Sequence, residues 1–189
     1  MKFKTTPYHF DLLKDSERLS AFFQAISEYD GKNELAYDLG CGSGVLSYFL
    51  SSFFNEIIAL EIDSTASKCA KENLSSFNNI KVINENVLDY DFDKKADLIV
   101  CEMMDTALID EEQVPVLNHA KKFLKPSGKI IPQGVINAVE LVNMEREYIH
   151  WDENAKYEVF SEMMIYSQFD FLEDIDSDFE IKLYIVSPF

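Results

Sequence analysis

Hydrophobic positions in the first two thirds of the chain form short continuous runs, separated by stretches in which apolar residues recur at helical spacing. Leu19, Phe22, Phe23 and Ile26 share one face of a helix predicted over residues 15–29, and Asp30-Gly31-Lys32-Asn33 ends it. Leu35, Tyr37 and Leu39 suit a short buried strand, and residues 45–50 a helix with Ser43 as candidate N-cap. A second strand is predicted over 56–62, then a helix over 64–77 with Ala66, Cys69, Ala70 and Leu74 inward. Strands over 80–84 and 96–102 precede a helix over 111–124, which Lys125-Pro126-Ser127-Gly128 closes before a fifth strand opens at Lys129. Apolar strands alternating with helices predict an α/β fold, a parallel sheet between two helical layers. After Pro132 the pattern changes. Alternation over 135–141 and aromatic runs over 157–160, 164–171 and 179–186 predict a short antiparallel β extension at the C-terminus. The expected organisation is a core over 1–134 and an extension over 135–189 packed on it, with no linker between.

The turn after the first strand is the densest signal. In Asp38-Leu39-Gly40-Cys41-Gly42-Ser43-Gly44, glycines at alternate positions permit a tight turn and close backbone approach to a ligand. Strand, glycine turn and helix form the front of a nucleotide-binding βαβ unit. The glycines do not follow the G-x-G-x-x-G spacing, and no Lys-Ser/Thr pair follows as in a phosphate-binding loop. Glu61 ends the second strand, where an acid can accept both hydroxyls of a ribose; Asp63 competes for that role, and either can cap the next helix. Ile62 shares that turn, and Asn86 and Val87 follow the third strand, where an adenine edge would lie. Glu102 directly follows the apolar fourth strand, and Glu111 lies nine positions on. Two carboxylates from the two arms of one loop can clamp a planar cation through paired hydrogen bonds, and guanidinium is the obvious guest. Glu111 and Glu112 fit equally well as solvent-exposed acids near a helix N-terminus, a reading that Glu102, directly after an apolar strand, does not fit.

Charge narrows the partners. A formal net charge of −17 over 189 residues opposes phosphate backbones at long range. It fits equally a surface that attracts basic, Arg- or Lys-rich polypeptides and one that is simply acidic and highly soluble. The acidic run over 173–178 reads equally as a solvated loop. No apolar stretch reaches the roughly 18 residues of a membrane span, and the basic first residues lack the apolar segment of a signal peptide. Cysteines at 41, 69 and 101 have no metal spacing; no metal is expected, and reduced thiols fit a cytoplasmic protein.

The glycine turn, the acid after the second strand and the tract entering Glu102 resemble class I S-adenosylmethionine-dependent methyltransferases, whose sheet is Rossmann-like. More narrowly, the chain resembles protein arginine methyltransferases, whose double-glutamate loop has the same nine-residue step as Glu102 and Glu111. Cys101-Glu102-Met103-Met104-Asp105-Thr106 is most similar to the monomethylating branch. Leu13-Lys14-Asp15-Ser16-Glu17-Arg18 is similar to the family's Leu-Lys-Asp-x-x-Arg segment, and residues 129–132 and 149–154 also look familial. The resemblance implies S-adenosyl-L-methionine as cofactor and S-adenosyl-L-homocysteine as product. It implies that Arg18, Asp38, Gly40, Cys41 and Gly42 hold the methionine portion, Glu61 and Ile62 the ribose, and Asn86 and Val87 the adenine. Glu102 and Glu111 are then the catalytic pair, with Glu102 also at the cofactor, and Met104 and Asp105 contact the substrate. Asp105, bulkier than glycine, would favour a single methylation. The family's N-terminal aromatic motif is shortened here, with Tyr8 and Phe10 as its candidates.

The sequence also departs from the family. The residues after Pro132 are fewer than the family's β barrel and dimerisation arm, and its Thr-His-Trp segment has no counterpart, since no histidine follows His150. A homodimer is implied by the resemblance alone. Two other functions stay open: methylation of RNA or a small metabolite, and cofactor binding in a regulatory protein. Against RNA stand the charge and Cys101-Glu102-Met103-Met104, where amino-methylating nucleic-acid enzymes usually carry Asn/Asp-Pro-Pro-Tyr/Phe.

Overall fold

The computed structural model describes residues 3–29, 33–105, 108, 111–144 and 157–176. Outside them lie the Asp30–Lys32 helix stop, half of the segment between the two glutamates, the familial stretch over 149–154 and the expected strand over 179–186.

Five parallel strands make the central sheet: β1 (Asn33–Leu39), β2 (Phe54–Leu60), β3 (Ile80–Ile83), β4 (Ala96–Cys101) and β5 (Leu124–Ile131), in the order β3-β2-β1-β4-β5. Successive side chains of a strand point to opposite faces, and here both faces are covered. On one face Tyr37, Leu39, Ile58, Leu60 and Ile99 pack against Val116, Leu117 and Ala120 of α5 (Gln113–Ala120). On the other, Ala36, Ile57, Leu98 and Val100 meet Phe22 and Ile26 of α2 (Ser16–Ser27) and Leu46 and Leu50 of α3 (Val45–Leu50). Ala59 meets Ala70 and Leu74 at α4 (Ser64–Asn73). The expected three-layer α/β architecture is the observed one.

Several local readings differ. Asp15 caps α2, accepting the Arg18 N–H at 3.0 Å, but Phe23 is 48% exposed and lies edge-on to Phe49 instead of entering the core. Gly44, not Ser43, takes the N-cap position of α3, with no side-chain bond; Ser43 is buried, and its carbonyl accepts from Asn73. α4 ends at Asn73, shorter than predicted, and Cys69 is only half-buried. Lys125-Pro126-Ser127-Gly128 does not close a helix. α5 stops at Ala120, a single 3-10 turn covers Lys121–Phe123, and the tetrapeptide is a bulge inside β5: Leu124 pairs with Ala96 and Lys129 with Leu98. Lys125 explains the bulge, for its Nζ turns back to Asp97 Oδ1 at 2.9 Å and Glu34 Oε2 at 2.7 Å.

Ahead of α2 stands a short helix that the periodicity misses, α1 (Pro7–Leu12). Thr6 caps it and Pro7 occupies its first turn, where no N–H is needed. None of its residues is buried, so it cannot be held by packing alone. Asn73 ties down the segment before it, donating to the Lys4 carbonyl and accepting the Lys4 N–H, both at 2.7 Å.

Beyond the sheet, β6 (Gly134–Val139) pairs antiparallel with β9 (Met164–Asp170), and β7 (Val142–Met144) with β8 (Tyr157–Val159). Phe171 and Ile175, after β9, belong to the main core. Among the described residues no helix is long and apolar enough to cross a membrane.

Candidate active site

The register of the sheet decides where the chemistry gathers. Leu39 is level with Leu60 and Cys101, and Leu60 with Ile83, so four strands end at one height. The next residues, Gly40, Glu61, Glu102 and Asn84, therefore stand side by side on the carboxyl edge. The strand order reverses between β1 and β4, the switch point at which open α/β sheets bind ligands. A cavity of about 640 Å³ opens there, lined by the glycine turn, Glu61, Asn86, Glu102, Glu111 and α1 among others.

The glycine turn forms its floor. Gly42 has φ +54°, and a Cβ there would lie 2.8 Å from the His9 ring; at Gly40, φ +72°, it would meet Met103 Sδ at 2.6 Å. A side chain at either place would strain the backbone and displace a wall residue. Glu61 is buried and joins two turns, its Oε2 accepting the Gly42 N–H and its Oε1 the Asp63 N–H, both at 2.8 Å. Asp63 instead caps α4 through the Ala66 N–H at 2.7 Å. Asn84 donates to the carbonyls of Glu61 and Ile62 at 2.8 and 2.9 Å. Ile62, 66% exposed, lines the rim. Asn86 and Val87 line the cavity beyond it; Asn86 Oδ1 accepts the Leu88 N–H at 2.9 Å.

Asp38 lies elsewhere. It sits behind the turn, 1% exposed and not lining the cavity, and accepts the Ser47 hydroxyl at 2.5 Å. Burial pushes its carboxyl up to about 7, against the bonds from Ser47, which favour the anion. Cys41 is in the cavity wall, and burial raises its thiol well above the ordinary range.

At the opposite wall Arg18 and Glu102 form an ion pair, Nη1 to Oε2 at 2.6 Å, with side chains 20% and 19% exposed. Arg18 Nη2 donates to the Leu12 carbonyl at 3.1 Å, while its Nε is buried without an acceptor among the described residues. Burial raises the Glu102 carboxyl; Arg18 opposes this and Glu111 adds to it. Tyr8 donates from its hydroxyl to Glu111 Oε1 at 3.1 Å. Met104 lines the cavity and Asp105 follows it, half-buried. Phe10 points away, 51% exposed, with Lys14 Nζ 4.2 Å over its ring.

Sequence reasoning missed His9, whose ring covers Gly42 and whose Nδ1 lies 2.7 Å from the Thr6 hydroxyl. The Thr6-Pro7 pair, a cap followed by proline, is the signal that would have exposed α1 and with it His9. It also missed the buried Gln113. Among the described residues no cluster of His, Cys, Asp or Glu is arranged to hold a metal ion.

A family model described as "Methyltransferase domain" matches residues 36–128, from β1 into β5. An uncharacterised protein of Methanothermobacter thermautotrophicus is 48% identical over the whole chain, which covers 76% of that protein. The histone-arginine methyltransferase CARMER of Anopheles gambiae is 32% identical over 65% of the chain, which spans only 20% of it. Among solved structures, the Trypanosoma brucei PRMT1 enzyme–prozyme heterotetrameric complex with AdoHcy superposes with a TM-score of 0.76 at 18% identity, covering 88% of this chain and 62% of that one. Strand order, switch-point cavity and these likenesses agree: residues 36–128 match a methyltransferase domain, the fold is that of the class I S-adenosylmethionine-dependent methyltransferases, and the chain resembles the arginine methyltransferases among them.

Proposed function

We propose that this protein transfers a methyl group from S-adenosylmethionine to a guanidino nitrogen of a basic protein. The observation that carries the reading is that Glu102 already holds a guanidinium, that of Arg18, while Glu111 faces the same cavity from the other arm of the loop.

The residues present fit the cofactor. Arg18 Nε is a buried donor lacking an acceptor among the described residues, which a carboxylate would supply. Gly40, Cys41 and Gly42 would carry the methionine portion against bare backbone, and Asp38 would act from behind by holding Ser47 at the head of α3. Each Glu61 oxygen takes one backbone N–H in the structure and keeps a lone pair for a ribose hydroxyl, with Ile62 at its side. Asn86 and Val87 would border the adenine.

When bound, S-adenosylmethionine supplies an electrophilic methyl group on a sulfonium sulfur. The rest falls to the chain. Glu102 and Glu111 would accept N–H bonds from the guanidinium, orient it, and draw positive charge towards the nitrogens they hold. The attacking nitrogen then has the more available lone pair. Arginine's pKa above about 12 makes proton loss accompany or follow attack. Met104 and Asp105 would border the acceptor, with Asp105 favouring a single methylation. The net charge of −17 draws basic polypeptides towards the cavity.

The test pairs calorimetry of S-adenosylmethionine binding with labelled-methyl transfer to a Gly-Arg repeat peptide, to RNA and to a metabolite pool. Glu102→Gln is expected to lower peptide turnover by roughly 10²-fold or more while cofactor affinity changes less than about threefold. Lost cofactor binding with unchanged turnover per bound complex would contradict the assignment. Transfer to RNA or a metabolite in place of the peptide would sink the guanidino acceptor.

A further inference from the structure

Between Glu102 and Glu111 the chain leaves β4 and returns to the head of α5, and one side chain joins the two arms. Gln113, the first residue of α5, is fully buried. Its Nε2 donates to the Cys101 carbonyl at 3.0 Å. Its Oε1 accepts the Met103 N–H at 2.9 Å and the Cys101 thiol at 3.3 Å. The Cys101 carbonyl belongs to the peptide unit before Glu102, and the Met103 N–H to the unit after it. One planar carboxamide thus grips both peptide planes that flank a single α-carbon. At neutral pH a primary amide offers donor and acceptor side by side in this way where an ionised carboxylate offers acceptors alone, and the two backbone groups fix which end is which.

Glu102 needs such a grip. Among the described residues its carboxylate takes one hydrogen bond, from Arg18. A ligand carboxylate that recruits Arg18 weakens that bond, and the direction in which the Glu102 side chain leaves the main chain must then be set by the backbone. We infer that Gln113 is a positioning residue for Glu102: by fixing the Cys101 carbonyl and the Met103 amide, it keeps the Glu102 carboxylate aimed into the cavity and holds the spacing of the two glutamates. The catalytic part of this inference rests on the guanidino-methyltransferase reading. The clamp itself does not, and the two are tested by different readouts.

Two variants separate position from mere fold. Gln113→Met keeps length and apolar volume but loses both hydrogen-bonding ends. Gln113→Glu keeps the acceptor and regains a donor only when its carboxyl is protonated. Amide hydrogen exchange is followed at Met103 and at Tyr37 in mid-sheet, and turnover is measured on the Gly-Arg repeat peptide. In Gln113→Met, Met103 is expected to exchange at least tenfold faster while Tyr37 is unchanged. In that variant kcat should fall about 10- to 100-fold and the KM for S-adenosylmethionine stay within about twofold. Gln113→Glu should recover relative to the unmodified chain as pH falls. Wild-type kcat in Gln113→Met, faster exchange of Met103 and Tyr37 alike, or a Gln113→Glu profile parallel to wild type would each overturn the inference. Should the unmodified chain bind cofactor yet leave the peptide unmethylated, the guanidino reading fails, and exchange at Met103 still decides whether the clamp exists.

Discussion

The parallel sheet and the antiparallel pairs that follow it are built from equally apolar residues and treat them in opposite ways. In β4 five of six residues are buried, and Leu98, Ile99, Val100 and Cys101 are wholly so. In β8 all three residues are exposed, and in β9 Met164 and Ile165 are 39% and 67% exposed. Parallel strands come with a helix for each face, whereas an antiparallel pair leaves a face open unless something else packs there. The antiparallel part meets the common core through Phe171 and Ile175 after β9, with Val135 of β6 and Phe169 of β9 packed against it, and Ile175 is fastened to Asn118 in α5. Rigidity is concentrated under the cavity, where four strand ends must stay level.

Equilibrium denaturation exposes the contrast most strongly. Ile99→Ala is expected to cost about 2–5 kcal/mol, as for large-to-small changes in closed cores, whereas Ile165→Ala should stay within about 0.5 kcal/mol. Equal losses would mean that the β6–β9 pair is as closely packed as the sheet.

The next effect belongs to Asp38. Its carboxyl is raised in the fold to about 7 from an ordinary 3.8. Between those values the folded chain holds a proton that the unfolded chain has released, so stability falls as pH rises across the window. The full effect is on the order of 4 kcal/mol, an upper bound for a wholly buried group. Asp38→Asn should flatten the curve between pH 4 and 7. A variant that keeps the wild-type slope would assign the proton to another group.

Smallest is the change at Tyr8, whose hydrogen bond to Glu111 lies near the surface. Tyr8→Phe should alter stability by less than about 1 kcal/mol and turnover by less than about fivefold. A larger loss would make α1 part of the rigid frame beside the sheet.

The same contrast accounts for what the sequence discloses. Runs buried on both faces, such as 57–61 and 98–101, announce themselves by composition, and so do the glycine turn and the carboxylate that ends β4. What stays hidden depends on partners distant along the chain. Lys125 to Gly128 reads as a turn because Asp97 and Glu34, which pull Lys125 into a bulge, are nowhere near it in sequence. Gln113 looks like any polar residue at a helix start until Cys101 and Met103 are brought to it. Phe23 misleads for the opposite reason: a helical stripe can be wider than the surface available to cover it.

Glu61 has one more consequence. Because its two oxygens take N–H groups from the turns after β1 and β2, those turns are linked as parts of one hinge-free frame. A disturbance at either is transmitted to the other without passing through the sheet. Gly42 and Asp63, 21 positions apart in the sequence, should open to solvent as a single event.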